Sequence, residues 1–336
     1  EPGSRREESE QRRDTGQDGG TVYEATKLLD ELCLLSAQSL PLMDTSEHFQ
    51  VLKLLGEGSY GRVMLVLHRK NGSPMALKFF PRESTRLLSF LQEYNFSLSF
   101  CSHPSLTRAL GIVYSTPSHY IFAQQASLFG DLYDLIQPEV GLEEELCQRV
   151  VSQLCGALSH LHSLGFVHRD VKPENIFLCD ATCHWVKLGD FGKVSSRSGV
   201  FLGSTVPEVW YSSPYCPPEA EVARGNQDIE PGTDSWALGI LTYAMLTGTH
   251  PWAETSSVDP VEGAVVKKRM AAAPQFTCFT PLACSFFQSL LDPRPHIRGG
   301  PEDVLRFLGG DWLMEKEKMR LEKERKRKQK QHSEGI

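Results

Sequence analysis

No run of apolar side chains in the 336 residues approaches the roughly 18 to 20 that a bilayer-spanning helix needs, so no membrane span is expected. The first 20 residues are charged and contain glycine where a secretory signal would be apolar, which predicts an intracellular chain. Cysteine occurs nine times, an odd number scattered from Cys33 to Cys284. That suits reduced thiols in a cytoplasmic or nuclear compartment better than a disulfide framework, and disulfides are not expected. Positive charge is not in excess: 35 Lys and Arg stand against 42 Asp and Glu, a net charge of −7, so general nucleic-acid binding is not expected. There is no internal repeat and no proline-rich tail.

What is present is a 40% hydrophobic content, enough for a sizeable core, and an uneven charge distribution. Residues 315–330 hold nine Lys and Arg against four Glu, a local net of +5, which leaves −12 for the remainder. The segment 314–336 therefore reads as a charged, basic tail. It is a candidate contact for anionic surfaces, or a solvated helix with pairs such as Glu324 with Lys328. At the other end, Glu1 to about Gly20 has almost no large apolar side chains and is expected to be disordered. Leu28, Leu29, Leu32, Leu34 and Leu35 recur at helical spacing, predicting a short amphipathic helix over 21–42 docked on the domain that follows.

From residue 48 the pattern turns to strands. Phe49–Leu55 and Arg62–Leu67 flank a glycine-bearing turn, Met75–Phe80 makes a third strand, a helix is predicted over Arg86–Ser99, and two further strands end near Gln124. Beyond Gly130 helical periodicity dominates, most clearly over Glu143–Leu164, Asp234–Leu246 and Ala283–Leu291. The expected class is α+β: a small antiparallel sheet with one helix over about 48–125, and a larger helical lobe over about 126–313.

The chemistry-bearing residues fall into three groups. Gly56-Glu57-Gly58-Ser59-Tyr60-Gly61-Arg62-Val63 puts glycines in a hairpin turn, where backbone can approach phosphate oxygens that a Cβ would exclude. A dinucleotide fingerprint would instead open a helix, and Val63 opens a strand. Lys78 lies mid-strand and faces inward if Ala76 and Phe80 share its side. A buried ammonium needs anions, such as ATP phosphates and Glu93 from the next helix. The third and strongest group is His168-Arg169-Asp170-Val171-Lys172-Pro173-Glu174-Asn175, followed fifteen residues later by Asp190-Phe191-Gly192. Asp170 suits acceptance of a hydroxyl proton, Lys172 neutralises a transferring phosphoryl group, and Asn175 with Asp190 offers oxygen ligands for Mg²⁺.

On these motifs the stretch from about Phe49 to Trp312 resembles a eukaryotic protein kinase. Phe90-Leu91-Gln92-Glu93, Phe122-Ala123-Gln124, Gly130-Asp131-Leu132-Tyr133 and Asp303–Leu308 are similar to the SBK group of serine/threonine kinases. The resemblance implies a bilobal fold, with ATP and Mg²⁺ as cofactors and proteins with Ser/Thr acceptors as substrates. It implies that Val63, Ala76 and Phe177 sandwich adenine and that Gln124, Gln125 and Ala126 through Ser127 form the hinge. It further implies that Glu219 pairs with Arg298, that Asp234 receives catalytic-loop N–H groups, and that Lys172 marks the serine/threonine type. Asp131 and Glu174 match positions that receive basic residues before the target. Among the activation-segment hydroxyls, Ser204 or Thr205 is the favoured acceptor for an upstream kinase, with Arg169 as the phosphate's partner. Departures are Pro217-Pro218-Glu219 at the segment end, Gln124-Gln125 in the hinge, a long span from Asp190 to Glu219, and Ser97 one turn after Glu93. A pseudokinase is the competing reading. Cys179, Cys183 and His184 lack a second Cys/His pair and are expected to stay metal-free.

Overall fold

A computed structural model describes residues 16–58, 61–100, 102–196, 213–222, 230–252 and 273–334. The chain forms a protein-kinase-like α+β structure, with an antiparallel sheet in the N-lobe and a helical C-lobe. The sheet runs β1 (Phe49–Gly58), β2 (Gly61–His68), β3 (Pro74–Pro81), β5 (His119–Gln124), β4 (Ala109–Ser115) in spatial order. Strict alternation along β3 explains its central place: Met75, Leu77 and Phe79 pack on one face, while Phe80 packs on the other with Phe90, Leu91, Tyr94 and Phe122. Ala76 and Lys78, in phase with Phe80, face the interlobe side.

Before the sheet come α1 (Gly16–Ser39) and one turn of helix, α2 (Thr45–His48), capped by the Asp44 carboxylate, which accepts from Ser46 N at 2.9 Å. Between β3 and β4 lies α3 (Leu87–Ser99), which carries Glu93. Helix α1 begins at Gly16, so 16–20 is helical although the sequence predicts disorder there; residues 1–15 lie outside the described residues. Its buried stripe also differs from the leucine pattern. Leu29 and Cys33 are buried, whereas Leu28, Leu34 and Leu35 face solvent. Packing on α3 selects the stripe, and spacing among leucines alone does not reveal which side that is.

The C-lobe is built on α5 (Glu144–Ser163) and α7 (Gly232–Thr247), with a turn of helix, α4 (Leu132–Leu135), ahead of them and α6 (Pro218–Val222) between them. Every residue of α7 from Asp234 to Leu246 is buried, as expected for a helix apolar on all sides at the lobe centre. It ends at Gly248, whose φ of 71° places a left-handed residue where its N–H reaches Ala244 O. Short ribbons β6 (Phe166–Val167) with β9 (Ser195–Ser196) and β7 (Ile176–Leu178) with β8 (Val186–Leu188) frame the catalytic loop. Helix α8 (Pro281–Leu290) starts with Pro281 behind a Thr280 cap and packs on α7.

The basic tail forms α9 (Glu315–Glu334), which is not free in solvent. Leu321 is 1% exposed within the main core, Arg325 donates to Leu142 O at 2.8 Å, and Lys318 pairs with Glu144 at 2.9 Å. Glu324 pairs with Arg327 rather than the expected Lys328, which donates to Pro138 O at 3.0 Å. A single apolar anchor in a highly charged helix gives a direct test. Leu321→Ala should lower unfolding free energy by about 2–3 kcal/mol in denaturant titration, while Met319→Ala, at an exposed position, should change it by less than about 0.5 kcal/mol.

Candidate active site

The two lobes enclose a cleft of about 1120 Å³. Of the residues singled out from sequence, Gly56, Glu57, Gly58, Val63, Ala76, Lys78, Glu93, Gln124, Gln125, Asp170, Lys172, Asn175, Phe177 and Asp190 all line it. Gly61 and Ala126 do not, and Ser59 and Tyr60 lie outside the described residues. Sheet register explains the convergence on the N-lobe side: Val63 pairs with Lys78, Ala76 with Gln124 and Lys78 with Phe122. Gly61 has φ 139°, and a Cβ there would overlap the Phe79 carbonyl, so its glycine is required by the hairpin. At Gly56, by contrast, a Cβ would meet no protein atom within 4 Å; nothing inside the described protein requires that glycine.

Lys78 Nζ lies 2.8 Å from Glu93 Oε1 and 3.7 Å from Asp190 Oδ1, with the Lys78 and Glu93 side chains each 5% exposed. Burial pushes the Glu93 carboxyl up to about 7, with the Lys78 ammonium opposing the rise and Asp190 adding to it. Asp190 behaves oppositely. Burial pushes it up, but Lys78, Glu93 and the Gly192 N–H outweigh that and hold it at about 2. Glu93 Oε2 is buried and accepts no hydrogen bond among the described residues.

The catalytic loop is fastened from beneath by Asp234 at the start of α7. Its Oδ2 accepts from His168 N at 2.9 Å and its Oδ1 from Arg169 N at 2.8 Å, while His162 Nε2 lies 2.7 Å from Oδ2. Burial alone would raise the Asp234 carboxyl, but the hydrogen bond and charge of His162, the charge of His168 and the Arg169 N–H leave it below the ordinary value. Arg169 and Asp190 both take positive φ, 72° and 56°, backbone strain concentrated where the loop turns toward the cleft. Asn175 Nδ2 donates to Asp170 O at 2.8 Å and to Asp170 Oδ2 at 3.0 Å. That fixes the Asp170 carboxylate and directs the Asn175 amide oxygen elsewhere. Lys193 Nζ, 3.4 Å from Asp170 Oδ1, and Lys172 Nζ, 3.7 Å from it, bring two ammonium groups to the same oxygen.

Phe191 is buried and packs edge-on against Phe100 at 5.5 Å and His168 at 5.7 Å, linking α3, the Asp-Phe-Gly turn and the catalytic loop. Ser97, the unusual hydroxyl on α3, is buried and donates to Thr107 O at 3.2 Å, so its polar group is satisfied. Glu219 and Arg298 form a two-pronged pair at 2.6 and 2.9 Å, with the guanidinium 5.2 Å above the Trp236 ring. Residues missed from sequence include Lys193, Thr107 and the Lys187–Gln125 bond of 2.6 Å, which anchors the hinge side chain to β8. Their roles come from tertiary approach, and no local motif signals them.

A nucleotide with magnesium fits what is present. Gly56 leaves open space where a phosphate would pass, and Asp190 with the Asn175 amide oxygen supplies hard oxygen donors of the kind Mg²⁺ prefers. Among the described residues no cluster of three or more His, Cys, Asp or Glu could hold a metal, so the remaining ligands would come from phosphate and water. The Cys179, Cys183, His184 group is likewise no such cluster, and both thiols are free.

The match of residues 49–307 to the protein kinase domain model joins this geometry to a family. The chain belongs to the protein kinase family, a class of ATP-dependent enzymes. Within it the chain is similar to serine/threonine-protein kinase SBK2 of Rattus norvegicus, 38% identical over 300 residues covering 88% of this chain and 82% of that protein. It is also similar to serine/threonine-protein kinase SBK1 of Danio rerio, 39% identical over 294 residues covering 86% and 75%. Calcium/calmodulin-dependent protein kinase type 1B of Homo sapiens is 28% identical over 278 residues, covering 82% and 79%. These relatives place the chain with serine/threonine-type kinases.

The perturbed carboxyls give a pH test with a definite sign. Folded Glu93 binds its proton more tightly than its ordinary value of 4.5, so the stabilisation it gives is full below 4.5 and is lost as pH rises through about 7. Asp190 contributes stability above its ordinary 3.8 that disappears only as pH falls through about 2. Between pH 5 and 8, ligand-free parent protein should therefore lose of the order of 1–3 kcal/mol relative to Glu93→Gln in denaturant midpoint experiments. A flat difference across that range would contradict the rise in Glu93.

Proposed function

We propose that this protein is an active serine/threonine kinase that transfers the γ-phosphoryl group of ATP to protein hydroxyls. The observation that carries this reading is the arrangement in one cleft of a Glu93-paired Lys78, an Asn175-oriented Asp170 and an Asp190 carboxyl held low. None of the five chemistry-bearing positions is replaced, which favours catalysis over a pseudokinase. Lys78 binds nucleotide phosphate oxygens, and Glu93 holds it there. Val63, Ala76 and Phe177 supply apolar surface for the base, beside the hinge at Gln124 and Gln125. Asp190 and Asn175 would hold the cation, which when bound would neutralise phosphate charge. Asp170 orients the acceptor hydroxyl and takes its proton, with Lys172 compensating charge on the transferring group.

With ATP and Mg²⁺, the purified protein should phosphorylate a mixed Ser/Thr peptide library, and Asp170→Asn should lower kcat by about 10²–10⁴. A parent that binds ATP yet transfers no phosphate above this variant, even after activation-segment phosphorylation, would be a pseudokinase. The favoured phosphosites Ser204 and Thr205 lie outside the described residues. Arg169, their expected partner, donates to Ser195 Oγ at 2.7 Å.

Substrate preference is proposed to be for basic residues ahead of the acceptor. Asp131, Asp134 and Glu174 line the same end of the cleft. Burial pushes the Asp131 carboxyl up, and the charges of Asp134 and Glu174 add to the rise although N–H groups oppose it, a congestion that a cationic side chain would relieve. A positional peptide library should show enrichment of Arg or Lys upstream, reduced about 5- to 20-fold in Asp131→Asn–Glu174→Gln. Equal selectivity in parent and variant would remove the preference.

A further inference from the structure

The helix that precedes the sheet makes contacts that phosphoryl transfer does not itself require. Leu29 and Cys33, one turn apart on α1, are 6% and 3% exposed, yet they belong to different cores. Leu29 packs in the large cluster containing Phe96, Phe100, Phe166 and Phe191; Cys33 packs in the N-lobe cluster with Phe90, Leu91 and Tyr94. Phe90, Leu91, Tyr94, Phe96 and the linking Asn95 are all on α3, the helix that carries Glu93. Asn95 Nδ2 reaches Cys33 Sγ at 3.7 Å and Ser36 Oγ at 3.4 Å. At a third point, the Thr26 and Ser196 hydroxyls lie 2.8 Å apart, tying α1 to β9 just beyond the Asp-Phe-Gly turn.

α3 has few stabilising interactions at its own ends. Its N-cap is Arg86 with no side-chain cap, and it has no acidic residue in its first turn and no basic residue in its last. It must nevertheless keep Glu93 buried against Lys78, with one carboxylate oxygen that accepts no hydrogen bond among the described residues, although sliding outward would rehydrate that carboxyl. The restraint comes from packing, to which the sheet residues Phe80 and Phe122 contribute on one side and α1 on the other.

We propose that α1 is a cis-acting positioning element in which Leu29 and Cys33 hold α3, and so Glu93, in its Lys78-paired position, while Thr26 couples the same helix to the start of the activation segment. This rests on reading the cleft as a phosphotransfer site. Modification of Thr26, or a partner that peels α1 away, would then lower activity without touching any group that contacts substrate.

The test uses the full chain with Leu29→Ala, Leu29→Met and Thr26→Val, read by amide hydrogen exchange, affinity for a non-hydrolysable ATP analogue with Mg²⁺, and steady-state kinetics. In Leu29→Ala, exchange over 87–99 should quicken by about 10-fold or more while 232–247 stays protected, with kcat down about 5- to 20-fold and analogue affinity weakened. Leu29→Met, which refills the space, should restore all three. Should Leu29→Ala expose 232–247 as well, Thr26→Val decides, with about 2- to 3-fold faster exchange expected over 87–99 and 195–196. Unchanged α3 exchange and analogue affinity in a folded variant would overturn the proposal. Those two readouts need no turnover, so a parent that fails to transfer phosphate would sink the kinase reading and leave this inference still decided.

Discussion

Everything near the cleft depends on keeping one ion pair, Lys78 with Glu93, out of water and in register. A buried pair of this kind is a poor source of stability, because desolvating both charges costs about what their attraction returns. Its value lies in position. Lys78 is fixed by the centre of a five-stranded sheet, Glu93 by a single helix, and the two meet at 2.8 Å only when sheet and helix are correctly placed. The elevated Glu93 carboxyl and depressed Asp190 carboxyl are two sides of the same economy of charge. One ammonium cannot fully satisfy two carboxylates, and the more enclosed one gives way.

The C-lobe solves the complementary problem with backbone donors. Asp234 is completely buried, yet its oxygens gather two main-chain N–H groups and an imidazole, so it needs no full counter-charge to remain tied down. Because α7 is buried from Asp234 to Leu246, that carboxylate sits on an element packed on every side. The strained φ values of Arg169 and Asp190 are held in place by this anchoring and by the Asn175 bonds to Asp170. The C-lobe thus presents Asp170, and the smaller lobe presents Lys78.

Much of this was legible in the sequence because the chemistry is local. The loop from His168 to Asn175, the Asp190 turn and the β3 alternation all lie within short segments whose spacing sets their geometry. Glu219 with Arg298 and Asp234 with the catalytic loop came through resemblance, since nothing in spacing joins residues 79 or 65 apart. What escaped was decided by tertiary packing. The inward stripe of α1 runs through Leu29 and Cys33 instead of the more numerous exposed leucines, and α9 is held by Leu321 amid charges that read as a solvated tail. Lys193 gave no sign of its approach to Asp170 because it lies 23 residues from it.

Ser97 shows why local departures from a family pattern must be judged in three dimensions. A hydroxyl one turn after Glu93 weakens apolar continuity on α3 if considered alone. Here its proton goes to the Thr107 carbonyl, and the apolar link to Phe191 is made one turn later by Phe100, which also stacks on Phe96 at 5.6 Å. The link between α3 and the Asp-Phe-Gly turn is therefore displaced toward the end of the helix, farther from Glu93. A connection moved toward a helix end restrains the middle less, because the last turn frays most readily. That raises the demand for an outside support along the length of α3, and the helix ahead of the sheet is packed against α3 where such support would act.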